Sequence, residues 1–135
     1  SSKKIELISN KDINKINVQR SPELTYGLRN FIGNAVKFSK SRVEVDLLSD
    51  NRIILIDIND DGPGFPEDIK EILGEPYIKS KSSLTSSNAG TGLGTFLGKT
   101  FLERKSAKLI FSKSNKLKGA LVSISWNIND IKTSS

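Results

Sequence analysis

The sequence predicts an α+β fold, a two-layer α/β sandwich in which helices cover one face of a mixed, largely antiparallel sheet. Short apolar or alternating segments are joined by tight polar turns, which is typical of hairpins and therefore of antiparallel strands. Two longer segments space their apolar residues as amphipathic helices do, and would bury one side against that sheet. The chain has 135 residues, enough for one core, and we expect a single domain over residues 1–135.

The chain begins with two predicted strands, at residues 4–8 and 15–19, and continues into a helix. Ser21 suits the N-cap of this helix and Pro22 its first position, and the helix is expected to end near Ser39. Its apolar side, at 100° per residue, is expected to be buried and consists of Leu24, Leu28, Phe31, Ile32, Ala35 and Phe38.

A hairpin follows the helix. Residues 42–48 alternate, which directs Val43, Val45 and Leu47 inward, and residues 52–58 are apolar enough to form a central strand. The two strands are joined by a turn at residues 50–51. Residues 59–66 combine Asn, Asp, Gly and Pro, so the strand is expected to end before them.

The second half is expected to contain a short helix at 66–73, a long connection at 74–90, and a helix that opens at Gly90. A closing strand pair is predicted at 108–112 and 120–126, around a turn at 116–119. Residues from 127 onward are polar and are expected to fray. The buried side of the second long helix is expected to comprise Phe96, Leu97, Thr100, Phe101 and Leu102.

Composition excludes several kinds of chemistry. The chain has no Cys and no His, which rules out disulfides, thiolate or imidazole metal sites, and Ser-His-Asp or Cys-His catalysis. A net charge of +6 suits an anionic partner, but the basic residues are scattered and no aromatics alternate with them, so nucleic acid is not expected. No apolar run could span a bilayer and no signal peptide is visible, so we expect a cytoplasmic domain without membrane contact of its own.

The first group of candidate functional residues lies on the first long helix. Asn30, Asn34 and Lys37 are spaced as helical neighbours on a strip beside the apolar face. Asn costs about half a kcal/mol relative to Ala in a helix, so two of them one turn apart require an explanation. One explanation is a solvated polar flank; the other is a row of two amides and an ammonium group facing a hydrated cation and an anion.

Two glycine-containing groups follow along the chain. Asp60 is succeeded by Gly62 and Gly64, which would place a carboxylate acceptor for the amino group of adenine beside a backbone that a flat ligand can approach. The same residues also suit an ordinary turn. The glycine run at 90–94 opens a helix, where backbone N–H groups and the helix dipole attract anions. Its spacing is neither that of the dinucleotide fingerprint nor that of the P-loop, which would require a glycine at Leu93.

In this order, the three groups resemble the N, G1 and G2 boxes of the catalytic ATP-binding domain of sensor histidine kinases, within the GHKL superfamily that also includes gyrase, Hsp90 and MutL. The resemblance covers residues 21–126, and segments 74–81 and 100–105 look most like RegB/PrrB-type kinases. The pattern N-x-x-x-N-A-x-K is met by Asn30, Asn34, Ala35 and Lys37, D-x-G-x-G by Asp60, Gly62 and Gly64, and G-x-G-x-G by Gly90, Gly92 and Gly94.

The resemblance implies the Bergerat fold, ATP and Mg²⁺ as cofactors, and a role for each matched residue. Asn34 would ligate Mg²⁺, with Asn30 on the metal or phosphate side, and Lys37 would contact the phosphates. Asp60 would accept from the adenine amino group. The remaining implied ATP-binding residues are Phe38 (where the family often has Tyr), Gly62, Gly64, the lid residues Tyr77, Lys79 and Lys81, and the phosphate-binding run Gly90, Thr91, Gly92, Leu93 and Gly94. The turn at 118–120, a reduced form of a further glycine-rich box, is given no binding role.

The resemblance also implies a reaction and partners. Related hydrolases carry Glu at the position of Asn30, and an amide cannot act as a general base, so a kinase is favoured over an ATPase. Because the chain has no His, the phosphoacceptor would lie on a separate dimerisation domain of the same parent, followed by a response regulator receiver domain. A parent anchored in the inner membrane is compatible with this. The alternatives are a GHKL-type ATPase, an anti-sigma-factor serine kinase, and a non-catalytic nucleotide-binding module.

Overall fold

The computed structural model describes residues 4–9, 21–65 and 89–131. The predicted strand at 15–19, the predicted helix at 66–73 and residues 74–88 of the predicted connection lie outside these ranges. In chain order, the described elements are β1 (Lys4–Ser9), α1 (Pro22–Phe38), β2 (Arg42–Ser49), β3 (Ile53–Asp60), α2 (Ala89–Arg104), β4 (Lys108–Lys113), β5 (Ala120–Asn127) and α3 (Ile128–Ile131).

The five strands form one mixed sheet in the order β1-β2-β3-β5-β4, with α1 and α2 packed on one face. β1 runs parallel to β2, while β2–β3, β3–β5 and β5–β4 are antiparallel. This confirms the predicted α+β sandwich and the central place of β3. Every second residue of β2, β3 and β5 faces the helices, and the buried core includes Val43, Val45, Ile54, Ile58, Val122, Ile124 and Trp126.

Helix α1 begins and ends where the sequence predicts. The Ser21 hydroxyl accepts a hydrogen bond of 3.0 Å from the Leu24 backbone N–H, which caps the helix at Pro22. Of the predicted apolar face, Leu24, Phe31 and Ala35 are buried and Leu28 and Ile32 are half-buried against the core. The prediction that Phe38 is buried is wrong. As the last residue of the helix it is 39% exposed, and its ring lies beside the Lys37 ammonium group.

Helices α1 and α2 pack closely through small residues. A Cβ atom at Gly27 would collide with the side chain of Leu102, which is completely buried as predicted. The rings of Tyr26 and Phe101 meet edge to face at 5.0 Å between centroids. Leu97, predicted to be buried, is instead 37% exposed, because the neighbouring Gly98 is the residue that lies against α1.

Strand β3 is longer than the sequence predicts. Asn59 and Asp60 continue its ladder and pair with Glu44 and Val43 of β2, although both were expected to lie in a turn. The expectation is wrong because their buried side chains are satisfied within the fold: Ser114 donates to Asn59, and the backbone N–H groups of Gly62 and Ala120 donate to Asp60. The strand therefore carries its carboxylate into the protein rather than into solvent.

The last described residues, 127–131, also differ from the prediction. Residues 128–131 form the short helix α3, whereas fraying was expected from residue 127. The backbone N–H of Ile128 donates to the carbonyl of Arg52 at 2.9 Å, and its side chain packs on the core. Among the described helices, of which α1 with 17 residues is the longest, none combines the length and apolar character needed to cross a membrane.

Candidate functional site

The end of β3 presents a buried carboxylate held by backbone groups. The N–H groups of Gly62 and Ala120 donate to Oδ1 of Asp60 at 2.8 and 3.1 Å. The N–H of Gly119 donates to the Asp60 carbonyl at 3.0 Å. Within the described ranges, both hydrogen bonds to this carboxylate use Oδ1, so its orientation is fixed while Oδ2 retains its acceptor capacity.

Two glycines make this arrangement possible. A Cβ atom at Gly119 would collide with the carbonyl and side chain of Asp60, and one at Gly62 would collide with the Phe38 carbonyl at the end of α1. No role was predicted for the 118–120 turn. Its only indication of a close backbone approach in the sequence is Gly119, which directly precedes β5. Gly64 has space around it but a φ of +86°, so glycine is favoured there by backbone conformation.

Asp61, which occupies the unspecified second position of the D-x-G-x-G pattern, joins the turn after β3 to the start of β2. Its carboxylate accepts from the backbone N–H groups of Lys40 (2.7 Å), Ser41 (3.1 Å) and Arg42 (3.2 Å), and from the Ser41 hydroxyl (3.0 Å). Desolvation alone would raise the pKa of Asp61, but these hydrogen bonds outweigh it and lower the pKa to about 2. Asp61 thereby fixes the turn beside Asp60.

The low pKa of Asp61 predicts a stability that depends on pH. The folded pKa of about 2 lies below the ordinary value of 3.8, so the ionised group stabilises the fold above about pH 4 and this contribution is lost as the pH falls towards 2. Asp61→Asn should lower the free energy of unfolding at pH 7 by about 1 kcal/mol, because the carboxylate is only partly buried. Urea unfolding between pH 7 and pH 2, with Asp130→Asn as the exposed control, measures it. A deficit of the same size at pH 2 would contradict this role.

The polar strip of α1 is present, and its residue Asn30 lies against α2. Asn30 and Asn34 are half-buried, and the Asn34 amide nitrogen donates to Asn30 Oδ1 at 3.4 Å, which is a weak bond. A Cβ atom at Gly98 would lie 2.9 Å from Asn30 Oδ1, so α2 passes directly over this amide. Lys37 is exposed, and its ammonium nitrogen lies 5.4 Å from the centroid of the Phe38 ring.

The glycine run lies within α2. The helix begins at Ala89, so Gly90 and Thr91 fall among its first three residues, whose N–H groups have no carbonyl partner within a helix. The N–H groups of Gly92, Leu93 and Gly94 come after these three, where the α-helical pattern directs them to carbonyls in the preceding turn. The predicted lid residues Tyr77, Lys79 and Lys81 lie outside the described ranges.

Helix α1 contacts the turn that carries the second group of candidate residues and the helix that carries the third. Its last residue, Phe38, contacts Gly62 of the turn after β3, and its middle residue Asn30 contacts Gly98 of α2. Amide oxygens are hard ligands that Mg²⁺ accepts, usually together with phosphate oxygens and water. In the described part of the chain, no group of three or more acidic side chains could hold a metal ion. A metal at the Asn30–Asn34 pair would therefore depend on oxygens from a bound ligand.

Comparison with known proteins identifies the family. The family described as histidine kinase-, DNA gyrase B-, and HSP90-like ATPase matches residues 19–129. Sensor histidine kinase RegB of Cereibacter sphaeroides is 35% identical over 127 residues, covering 83% of this chain and 28% of RegB. This chain thus spans less than a third of the length of that relative. The similarity confirms the predicted resemblance to RegB-type kinases.

Two solved structures confirm the fold. A mycobacterial sensor histidine kinase, MprB, matches with a TM-score of 0.67 and 21% identity, over 96% of this chain and 83% of that chain. Full-length ShkA in complex with AMPPNP matches with a TM-score of 0.65 and 18% identity, over 97% of this chain and 26% of ShkA. At 21% and 18% sequence identity, these two similarities establish a shared fold only.

Proposed function

Because the chain belongs to the histidine kinase-, DNA gyrase B-, and HSP90-like ATPase family, we propose that it is the single ATP-binding catalytic domain of a longer sensor histidine kinase. The observation that carries this proposal is the Asp60 carboxylate, buried and fixed at Oδ1 by two backbone N–H groups beside Gly62 and Gly64. With Oδ1 held in this way, Oδ2 can accept one hydrogen bond from a flat base, and the amino group of adenine can donate it.

The other site residues receive roles that agree with their positions. Asn34 would give an amide oxygen to Mg²⁺, because it lies one helical turn from Asn30 and an amide oxygen is a hard ligand of the kind that Mg²⁺ accepts. Mg²⁺ would offset the triphosphate charge, and the exposed Lys37 would add a positive charge near the phosphates. The exposed ring of Phe38 would pack beside the nucleotide without the hydroxyl that the family often has there.

The start of α2 would bind the phosphates, with residues 74–90 as the lid. For Leu93 and Gly94 to donate to a phosphate, the first turn of α2 must unwind. Glycine is about 1 kcal/mol less favourable than Ala in a helix, and this turn and the next contain three glycines, so unwinding costs little. Binding would then exchange helical hydrogen bonds for charge-assisted bonds to phosphate.

The proposed reaction is transfer of the ATP γ-phosphoryl group to a His on the dimerisation domain of the same parent. Asn30 lacks the carboxylate with which related ATPases activate water, which favours a kinase over a GHKL-type hydrolase. The chain has no His, so the acceptor must be supplied from outside these residues. From that His, the phosphoryl group would pass to a response regulator receiver domain.

Calorimetry with ATP tests the binding step. The chain should bind ATP in the presence of Mg²⁺ and bind it about tenfold or more weakly after chelation by EDTA, because the triphosphate charge is then uncompensated. Asn34→Ala should lose most of this Mg²⁺ dependence, whereas Asn129→Ala, an exposed amide in α3, should retain it. Absence of ATP binding by the unmodified chain would refute the proposed function.

A further inference from the structure

The turn between β4 and β5, residues 114–119, is tied to the sheet beside Asp60. Ser114 is completely buried; its hydroxyl donates to Asn59 Oδ1 at 2.8 Å and accepts from the Leu117 N–H at 3.0 Å. The Ser114 N–H donates to the Gly119 carbonyl at 2.7 Å and closes the turn. Asn59 immediately precedes Asp60 in β3, so this bond joins the turn to the strand that carries the carboxylate.

A second attachment lies on the sheet face opposite the helices. The Lys116 ammonium group lies 3.0 Å from Glu44 Oε1 and 3.0 Å from Asp46 Oδ2, both on β2. Glu44 is itself buried, with 6% of the residue exposed, and its other oxygen pairs with Arg42 at 2.8 Å. The hydrogen bond from Lys116 lowers the pKa of Glu44, and the bond to Glu44 raises the pKa of Lys116, so both stay charged.

These attachments act on the groups that fix Asp60. Lys116 is followed within four residues by Gly119 and Ala120, whose N–H groups donate to the carbonyl and to Oδ1 of Asp60. Gly119 has no space to move toward Asp60, because a Cβ atom there would already collide with it. If the turn shifts, the Ala120 N–H shifts with it, and the Asp60 carboxylate has to rotate to keep this hydrogen bond. The rotation also moves Oδ2.

We propose that Lys116, through its ion pairs with Glu44 and Asp46, is a positioning residue that sets the orientation of the Asp60 carboxylate and thereby the preference for adenine over purines without the amino group. The proposal rests on the proposed function, in which Asp60 Oδ2 accepts from that amino group. Lys116 pairs with side chains on the sheet face opposite Asp60, so in this proposal it would touch neither base nor phosphate.

The test compares ATP with inosine triphosphate, which carries an oxygen where adenine carries its amino group. Lys116→Met should weaken ATP binding about fivefold and leave inosine triphosphate binding within about twofold, so that the preference for ATP falls. Lys116→Arg, which keeps the charge, should restore the preference. Lys108→Met, at an exposed lysine of the adjoining strand β4, is the matched control and should behave as the unmodified chain. Circular dichroism verifies folding, and Lys116→Gln, with an intermediate loss, replaces the Met variant if that one does not fold.

The outcomes separate this inference from the function on which it rests. An unmodified chain that does not bind ATP refutes the proposed function. An unmodified chain that prefers ATP, together with a Lys116→Met variant that loses affinity for both nucleotides equally or for neither, overturns the positioning role alone. A reduced preference in Lys116→Met that Lys116→Arg restores supports it, since a role only in overall stability would not change the ratio of the two affinities.

Discussion

Asp60→Asn is expected to weaken ATP binding by about 2–4 kcal/mol, which is about 30- to 900-fold. The Asn oxygen can replace Oδ1 and accept from Gly62 and Ala120 as the carboxylate does, so the fold should be retained. The amide nitrogen then occupies the position of Oδ2 and presents a donor toward the donor of adenine. The variant thus loses a charge-assisted hydrogen bond and gains a mispaired donor.

Isothermal calorimetry with ATP and Mg²⁺ measures this effect, and thermal unfolding verifies that the variant is folded. Asp57→Asn is the matched control. Asp57 lies on the same strand, three residues before Asp60, and its side chain is on the opposite face of the sheet, where its register neighbour on β2 is Asp46. It should bind ATP as tightly as the unmodified chain. Equal affinities for the Asp60→Asn variant and the unmodified chain would remove Asp60 from the site.

The second large effect concerns activity. Incubated alone with γ-labelled ATP, the chain should neither label itself nor release phosphate appreciably. It has no His to accept the phosphoryl group, and Asn30 stands where the related hydrolases have a general base. General-base catalysis contributes about 10²–10⁴-fold, so phosphate release should be slower than that of such a hydrolase by a factor of this order.

Addition of the His-bearing dimerisation domain of its own parent, fused or in excess, should produce acid-labile phosphohistidine on that domain. Asn34→Ala should abolish this transfer, because the metal that offsets the triphosphate charge loses its protein ligand. The exposed Asn129→Ala variant should transfer normally. Steady release of phosphate by the isolated chain, with no label on the added domain, would favour the ATPase alternative instead.

Elements whose signals are local in sequence were predicted well. The start of α1 follows from the Ser21 cap and Pro22, and the central place of β3 follows from its apolar run. The predicted β2–β3 turn at residues 50–51 is found because Asp50 accepts from the Arg52 and Ile53 N–H groups, a bond pattern that Asp is suited to make.

Features that depend on distant residues were missed. The last two residues of β3 are polar, and their burial depends on Ser114 and Ala120, which lie 55 and 60 residues away, as well as on the nearby Gly62 N–H. The buried Glu44 was also missed, since its partner Lys116 comes from another hairpin. Phe38 and Leu97 were expected to be buried because of the spacing of the apolar residues. This spacing does not show that Phe38 is the last residue of its helix, or that Gly98 rather than Leu97 contacts α1.

For the candidate site, sequence reasoning named Asp60 and the glycines but not the groups that hold them. Asp61 was the unspecified position of the D-x-G-x-G pattern, although its carboxylate bonds to three consecutive backbone N–H groups. Gly119 and Ala120 were given no role, because backbone donors leave no signature in side-chain identity. The Asn30–Asn34 strip was recognised, since helical spacing alone brings the two amides together.

The saturation of Asp60 Oδ1 by two backbone donors bears on the design of inhibitors. Amidine and guanidine heads, which usually gain strength by bridging both oxygens of a carboxylate, would have to displace the Gly62 or Ala120 N–H to do so here. We therefore expect fragments with one exocyclic amino group on a flat heterocycle to bind this pocket more efficiently per atom than bidentate cations. A fragment library for this chain should be weighted toward aminopurine- and aminopyrimidine-like rings.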